Sequence, residues 1–260
     1  RMHFPELVII DYIHMEEWYW KAGGHARASS AQNGISEKTF VCNSATRKVM
    51  TDIFDCDPER VECMYIGVDH NYYDRNKENA GYLHEKLNLD KQRPIVLFPC
   101  RIHEQKRPFM LLDIAEGVIK NVPDVAFVVV GDGPQLDELK ETIHRKSLTR
   151  NIYCIGRSND MRACYRDSKV TLICSLKEGL ALTAYESCSM GVPVVSSDVG
   201  GQGDLIGNDV GALIPLQQSE EMDLNKREFP EAEVMEYVVN ITKILTRPDL
   251  ATKMSENCRR

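Results

Sequence analysis

The sequence predicts an α/β protein, a doubly wound fold on parallel sheets. Three observations carry this. Short apolar runs alternate with stretches of helical periodicity along most of the 260 residues. The runs are continuous (IVLF, VAFVVV, VTLIC) rather than alternating apolar with polar, the pattern of strands buried on both faces. No internal repeat or low-complexity tract interrupts the order. Strands buried on both faces and separated by helices require crossover connections, hence a parallel sheet covered on both sides.

Taken in order, residues 7–10 (LVII) are the first strand run and 39–42 (TFVC) the second, followed by a helix over 44–54. Residues 61–66 give a third strand, and 95–98 (IVLF) open a new series. Pro108 stands at a first helical position, where its missing N–H is harmless, and Leu111, Ala115 and Val118 fall on one face after it. Residues 125–130 form a strand closed by Gly131-Asp132-Gly133-Pro134. Leu136, Leu139 and Ile143 mark the next helix. Strand 152–155, helix 160–167, strand 170–174, helix 182–190 and strand 193–196 follow, with Gly191 placed as a left-handed cap. Val234, Val238, Ile241 and Leu245 predict a helix after Pro230, and Pro248 starts another. Residues 71–93 are polar, charged and weakly periodic; they read as the break between two domains, or as a surface helix within one.

Composition bounds the function. A length of 260 residues suits one large domain or two smaller ones and buries a real core without disulfides or structural metal. With 32 Lys+Arg against 39 Asp+Glu the formal charge is −7, so there is no basic footprint for duplex nucleic acid. No apolar run approaches the roughly 18–20 residues of a membrane-spanning helix. The nine cysteines are odd in number, form no C-x-x-C pair and sit mostly inside apolar runs. This argues against a zinc site or a disulfide framework and for a reducing, cytoplasmic setting. The chain opens without an initiator Met, and both ends read as cuts through a longer protein.

In a doubly wound fold ligands bind beyond the carboxyl ends of the strands, so the chemistry is expected in post-strand loops. The richest segment is EGLALTAYESCSMGVPVVSSDVGGQGD, residues 178–204. Strand VTLICS leads into a loop holding Glu178 and Gly179, and a helix then begins near residues 180–183. The free N–H groups of its first turn, with the helix dipole, favour an anion, and Gly179 permits close backbone approach. Glu178 and Glu186 need another task beside an anion site: carboxylates accept hydrogen bonds from sugar hydroxyls. The second segment is CRIHEQKRP, residues 100–108, directly after strand IVLFP. Its Arg101 and Lys106 suit a diphosphate, although on this segment alone a solvated basic loop is the simpler reading. His103 and Arg107 share the loop, and His103 reads as surface.

These segments, taken in order along the chain, resemble glycosyltransferase family 4 (group 1), retaining enzymes of the GT-B fold. YIGVD (65–69) resembles the family's N-G-V-D before the interdomain linker, with Ile66 in place of Asn. RIHEQKRP resembles its G-R-L-x-x-E-K-G segment, with Cys100 in place of Gly. VVVGDGP (128–134) and IYCIG (152–156) match closely, and residues 178–201 match the E-x7-E signature and the strand after it. Together the motifs cover about residues 60–215. Departures are Ser175-Leu176 where Pro-Ser is usual, and Asp204 where the family often has Glu.

The resemblance implies a GT-B arrangement. Residues 1–72 would be the last part of an incomplete N-terminal acceptor-side Rossmann-like domain, 73–93 the linker, and 94–260 the donor-binding Rossmann-like domain. It implies transfer of a sugar with retention from a UDP- or GDP-linked donor to a glycan, lipid-linked or protein hydroxyl, with no metal and no cofactor. Nucleic acid is not a partner, and peripheral membrane association would come through regions outside this chain. Arg101 and Lys106 would hold the donor diphosphate; Glu178 would contact the transferred sugar. Backbone at Gly179, Leu180, Ala181, Leu182 and Thr183 would hold the β-phosphate and sugar, and Glu186 the ribose. Gly131 and Gly133 would border the donor, and Arg157 and Ser158 would edge the base. His14, at the end of LVIIDYIH, resembles the family's active-site His. Such a transfer needs a stabilised diphosphate leaving group, which fixed positive charge and backbone dipoles supply.

Rival readings are weaker. VVVGDGPQL opens like a dinucleotide fingerprint, but Leu136 stands where its third Gly belongs. Asp55-Cys56-Asp57 is a D-x-D pair, a metal-binding pattern in transferases of another fold, yet it precedes Pro58-Glu59-Arg60 in what reads as a turn. A nucleotide-sugar epimerase of the same fold, and a donor-binding or regulatory subunit without turnover, remain as alternatives. The fragment alone is expected to be poorly active.

Overall fold

The computed structural model describes residues 7–14, 24–218 and 227–259. The chain divides into two compact units. One comprises Arg1–Gly67, Lys177–Ala181 and Val199–Asp204; the other comprises Val68–Leu176, Leu182–Asp198 and Leu205–Arg260.

The smaller unit contains β1 (Ile10–Ile13), α1 (His25–Ser30), β2 (Lys38–Val41), α2 (Ser44–Lys48) and β3 (Val61–Cys63). The strands form a parallel sheet in the order β1-β2-β3. Ile13, Val41, Met50, Cys56 and Val61 close its core. The first strand lies three residues later than the apolar run suggests. Leu7, Val8 and Ile10 are more than half exposed, whereas Ile13 pairs with Val41 and is buried. The helix expected over 44–54 is α-helical only through α2 and then widens into a π-turn, Val49–Ile53, closed by Phe54 N–H on Val49 O at 3.3 Å. Asp55-Cys56-Asp57 follows as irregular chain that leads into the turn over 58–60. Asp57 accepts from Glu59 N and pairs with Arg60, and Cys56 is buried.

The larger unit carries a six-stranded, all-parallel sheet. Along the chain it begins with α3 (Tyr82–Lys86), β4 (Ile95–Pro99), α4 (Met110–Ile119), β5 (Ala126–Val130), α5 (Leu136–Arg145) and β6 (Ile152–Cys154). Then come α6 (Met161–Asp167), β7 (Val170–Ile173), α7 (Leu182–Ser189), β8 (Val194–Ser197) and β9 (Gly211–Ile214); α8 (Gln202–Leu205), between β8 and β9 in sequence, falls mostly within the smaller unit's segment 199–204. The chain closes with α9 (Glu231–Thr246) and α10 (Pro248–Cys258). Strand order is β6-β5-β4-β7-β8-β9, so the chain builds outward from β4 to β6 and then returns to the other side of β4. That reversal is a topological switch point between β4 and β7. Every residue of β4, β5, β7 and β8 is buried, and apolar clusters cover both faces of the sheet. The double-sided burial anticipated from the uninterrupted apolar runs is thus observed.

Local chemistry explains the helix ends. Asp160 caps α6 by accepting from Ala163 N, and Pro248 occupies the first turn of α10. Gly191, with φ 67°, takes the left-handed conformation after α7. Helix α4 starts at Met110, two residues beyond Pro108. Arg107 adopts a left-handed φ of 48° and turns its side chain inward, so a turn precedes the helix. The segment expected as a linker carries α3. Its Leu83 is fully buried against the second apolar cluster, and Gly81 N and Leu83 N both donate to the buried Asp167.

One charged pair sits inside the larger core. The Arg107 guanidinium meets Glu233 of α9 at 2.6 Å, with both side chains 1% exposed or less. Arg107 also donates to Cys174 O and to Gln218 Oε1, and Gln217 N donates to the second Glu233 oxygen. Burial is the largest effect and disfavours the Arg107 charge, but the Glu233 hydrogen bond together with the charges of Cys174, Tyr237 and Glu233 outweighs it, holding the guanidinium above its ordinary pKa. Because the pair is buried and fully bonded, removing one partner strands the other. Glu233→Ala is expected to lower stability by about 3–5 kcal/mol, read as a fall in urea midpoint at unchanged slope; an unchanged midpoint would contradict the buried pair.

The thiols add a pH dependence. Burial pushes Cys154 and Cys164 up to about 11 and Cys174 to about 12, from an ordinary 9.0. Above pH 9 the unfolded thiols release protons that the folded ones keep, so the unfolded state binds fewer protons and stability falls as pH rises. The loss is complete once pH passes the folded values. The melting temperature should therefore decline between about pH 9 and 12, and Cys174→Ala should flatten part of that decline.

Candidate active site

The loops after β4, β5 and β6 meet through their backbones. Cys100 N donates to Val130 O and Ile102 N to Asp132 O, both at 3.0 Å, while Gly131 N donates to Gly156 O at 2.8 Å. The approach is too close for a side chain. A Cβ on Gly131, whose φ is 146°, would lie 1.8 Å from Cys100 O, and one on Gly133 would lie 2.3 Å from Ile102 O. This is the physical content of the GDG motif.

Beyond these loops, at the carboxyl ends of the strands, lies a cavity of about 780 Å³. The structure brings Arg101, Gly131, Gly133, Arg157, Ser158, Thr183 and Glu186 together around it. Arg101 is exposed there. Arg157 is paired with Asp132 at 3.5 Å, and Ser158 is tied to the start of α6 through Asp160. The cavity lies at the switch point, where a doubly wound sheet offers a ligand the open ends of two loops and a helix. Leu182, exposed, and Thr183 open α7, whose first N–H groups have no partner within the helix.

Glu186 is held by two phenols. Tyr73 Oη donates to one carboxylate oxygen and Tyr165 Oη to the other, each at 2.9 Å. Burial first, then the neighbouring Glu186, pushes both phenols above their ordinary pKa, so they stay protonated donors. Each carboxylate oxygen keeps a lone pair for a further donor. No local pattern announces Tyr73, which lies 113 residues from Glu186.

The remaining residues singled out in the sequence lie elsewhere. Lys106 ends a 3-10 turn, Glu104–Lys106, capped by His103, whose side chain accepts from Gln105 N. Lys106 does not line the cavity. Arg107 is a core residue, as described above. Glu178, Gly179, Leu180 and Ala181 belong to the smaller unit. There Glu178 is 7% exposed, and Gly179 O accepts from Asn43 Nδ2 and Gly201 N, both at 2.9 Å. Asn43 also caps α2 through Thr46 N, and Asp204 accepts from Ser44 N at 2.7 Å. His14 follows β1, is exposed, lies against the Tyr12 ring at 4.1 Å in a tilted contact and lines a cavity of about 300 Å³ with Asp11, His25 and Ser29. Among the described residues, no group of three or more His, Cys, Asp or Glu side chains is placed to hold a metal ion.

Residues 81–260 match the family described as glycosyl transferases group 1. The chain belongs to this family. It is 28% identical over 208 residues to the Escherichia coli UDP-Gal:alpha-D-GlcNAc-diphosphoundecaprenol alpha-1,3-galactosyltransferase, covering 78% of this chain and 49% of that protein. It is 28% identical over 206 residues to a D-inositol 3-phosphate glycosyltransferase of Salinispora tropica, covering 73% and 43%. The group 1 chain thus spans about half the length, or less, of these curated relatives. Among solved structures, Anabaena Alr3699/HepE in complex with UDP and glucose superposes with a TM-score of 0.76 at 18% identity, covering 97% of this chain and 66% of that one. The Staphylococcus aureus TarM G117R mutant, in complex with Fondaparinux, alpha-GlcNAc-glycerol and UDP, gives 0.74 at 20%, covering 96% and 46%. These likenesses establish the GT-B glycosyltransferase fold.

The glycine contacts give a direct test. Gly131→Ala must open the junction between the loops after β4 and β5. A loss of about 1–3 kcal/mol is expected from strain and overpacking, measured by denaturant unfolding, and wild-type stability would refute the close approach.

Proposed function

We propose that the protein containing this chain transfers a sugar from a nucleoside-diphosphate donor to an acceptor hydroxyl, with retention and without a metal ion. The observation that carries this is the cavity at the switch point, with Arg101, the two glycines of GDG, Thr183 and the tyrosine-held Glu186 around it, in a chain of the group 1 family. Arg101 neutralises the diphosphate from the cavity lining, and Lys106, which does not line the cavity in this structure, joins it when the donor is bound; Glu186 accepts from the ribose; Arg157 and Ser158 border the base. The N–H groups opening α7 bind the β-phosphate as helix N-termini do. Charge developing on the leaving diphosphate is met by fixed cations and backbone dipoles rather than by solvent.

UDP is the favoured nucleotide, with GDP the alternative. The E. coli relative is named for UDP-Gal, and both superposed structures contain UDP. A lipid-linked acceptor is supported by the diphosphoundecaprenol in the names of the E. coli relative and of a Campylobacter jejuni N-acetyl-D-galactosaminyltransferase, 30% identical over 179 residues. No helix among the described residues is long and apolar enough to cross a membrane. The proposed setting is the cytoplasm, in contact with the membrane when the acceptor is lipid-linked.

A panel of UDP- and GDP-sugars tests this on the full-length protein. Hydrolysis or transfer with one donor class is expected. Binding without turnover would replace the proposal with a donor-binding subunit, and a strict metal requirement would overturn its mechanism. Within it, Glu186→Ala should raise the nucleotide Kd roughly tenfold, about 1.4 kcal/mol. Lys106→Ala should instead lower kcat by about 10²–10³, as removal of charge stabilisation does elsewhere. Unchanged binding and rate in both variants would refute these roles.

A further inference from the structure

At the opposite, amino-terminal ends of the larger unit's central strands lies a smaller cavity of about 260 Å³. Arg93 precedes β4 and Lys169 precedes β7, so it sits at the amino ends of strands whose carboxyl ends carry the candidate active site. Five cations line it: Arg75, Lys91, Arg93, Arg166 and Lys169. In a chain of formal charge −7 this is a marked local excess. The two carboxylates in the lining are Glu85 and Asp167. Asp167 already accepts from Gly81 N at 2.6 Å and Leu83 N at 2.7 Å, and His84 Nδ1 lies 3.8 Å away.

None of the five cations forms an ion pair with a carboxylate within 4.0 Å among the described residues. Arg93 spends its donors on the carbonyls of Asp124, Val125 and Arg150 and on Tyr153 Oη. Arg75 donates to Met190 O and Arg166 to Glu78 O, which leaves most of each guanidinium's five N–H groups for another acceptor. Burial, with the nearby charges of Arg166 and Arg259, lowers Arg75 to about 10. Positive charge is therefore gathered here against its own repulsion, with forked donors suited to tetrahedral oxyanions. The volume lies below the roughly 300–1,000 Å³ of pockets for drug-sized ligands, so a small anion fits.

We propose that this cavity is a second ligand site, binding a phosphate or diphosphate group through Arg75 and Arg166 with Lys91 and Lys169. The group can belong to a soluble metabolite or to a phospholipid headgroup, and two probes separate these sources. Inorganic pyrophosphate is titrated by calorimetry into the full chain, its active-site cavity disabled by Arg101→Ala. Vesicles of phosphatidylglycerol are tested by co-flotation against neutral phosphatidylcholine vesicles. Pyrophosphate binding that survives Arg101→Ala and weakens at least tenfold in Arg166→Gln supports a soluble ligand; vesicle binding lost in Arg166→Gln supports a headgroup. Lys91→Glu with Lys169→Glu, both exposed, repeats the test should Arg166→Gln fail to fold. Equal affinity in wild type and in these variants, or no binding of either probe by the wild type, overturns the proposal.

Discussion

The backbone of the loop after β4 lies directly against the backbone of the loop after β5, with no room for a Cβ between them. Much of the larger unit follows from this contact. It fixes where Arg101 leaves the sheet, and through Gly131 N on Gly156 O it carries the loop after β6 along. Arg157 and Ser158 are thereby held on the same cavity as Arg101. Three loops separated by helices in sequence become one rim, and the rim is made of main chain, which tolerates drift at every position except the glycines.

The other wall is held by side chains reaching across long stretches of sequence. Tyr73 and Tyr165 fix the Glu186 carboxylate, and Arg107 anchors the turn before α4 to α9 through Glu233. The basic loop of residues 100–108 thus splits its charges between two tasks. Arg101 faces the cavity, whereas Arg107 is a core residue whose charge is satisfied internally. Cationic residues six positions apart in one short loop serve different physical ends because one follows the strand into solvent and the other turns back beneath it.

The sheet of the larger unit was legible from sequence because its strands are buried on both faces and appear as unbroken apolar runs. Strand β9 was not: Gly211-Ala212-Leu213-Ile214 is short, opens on glycine and carries little apolar contrast. The position of β1 followed pairing with β2 rather than the stronger apolar run before it. For the candidate site, Arg101, the GDG turn and Glu186 were readable because each lies just after a strand or on the helix that follows one. The tyrosines on Glu186 and the inward turn of Arg107 were not, since both depend on residues brought together only by the folded chain.

The smaller unit is discontinuous in sequence. Its first 67 residues are joined by 177–181 and 199–204, which are encoded between strands of the larger sheet. Gly179, which bonds Asn43, and Asp204, which accepts from Ser44 N at the start of α2, emerge from the ribosome only after most of the larger unit. At about 5–20 residues per second, the early segment waits on the order of 10 s for its last pieces. Synthesis therefore imposes an order: β1 to β3 are made before the larger sheet and completed after most of it, and the loop carrying Glu178 is among the pieces that complete them.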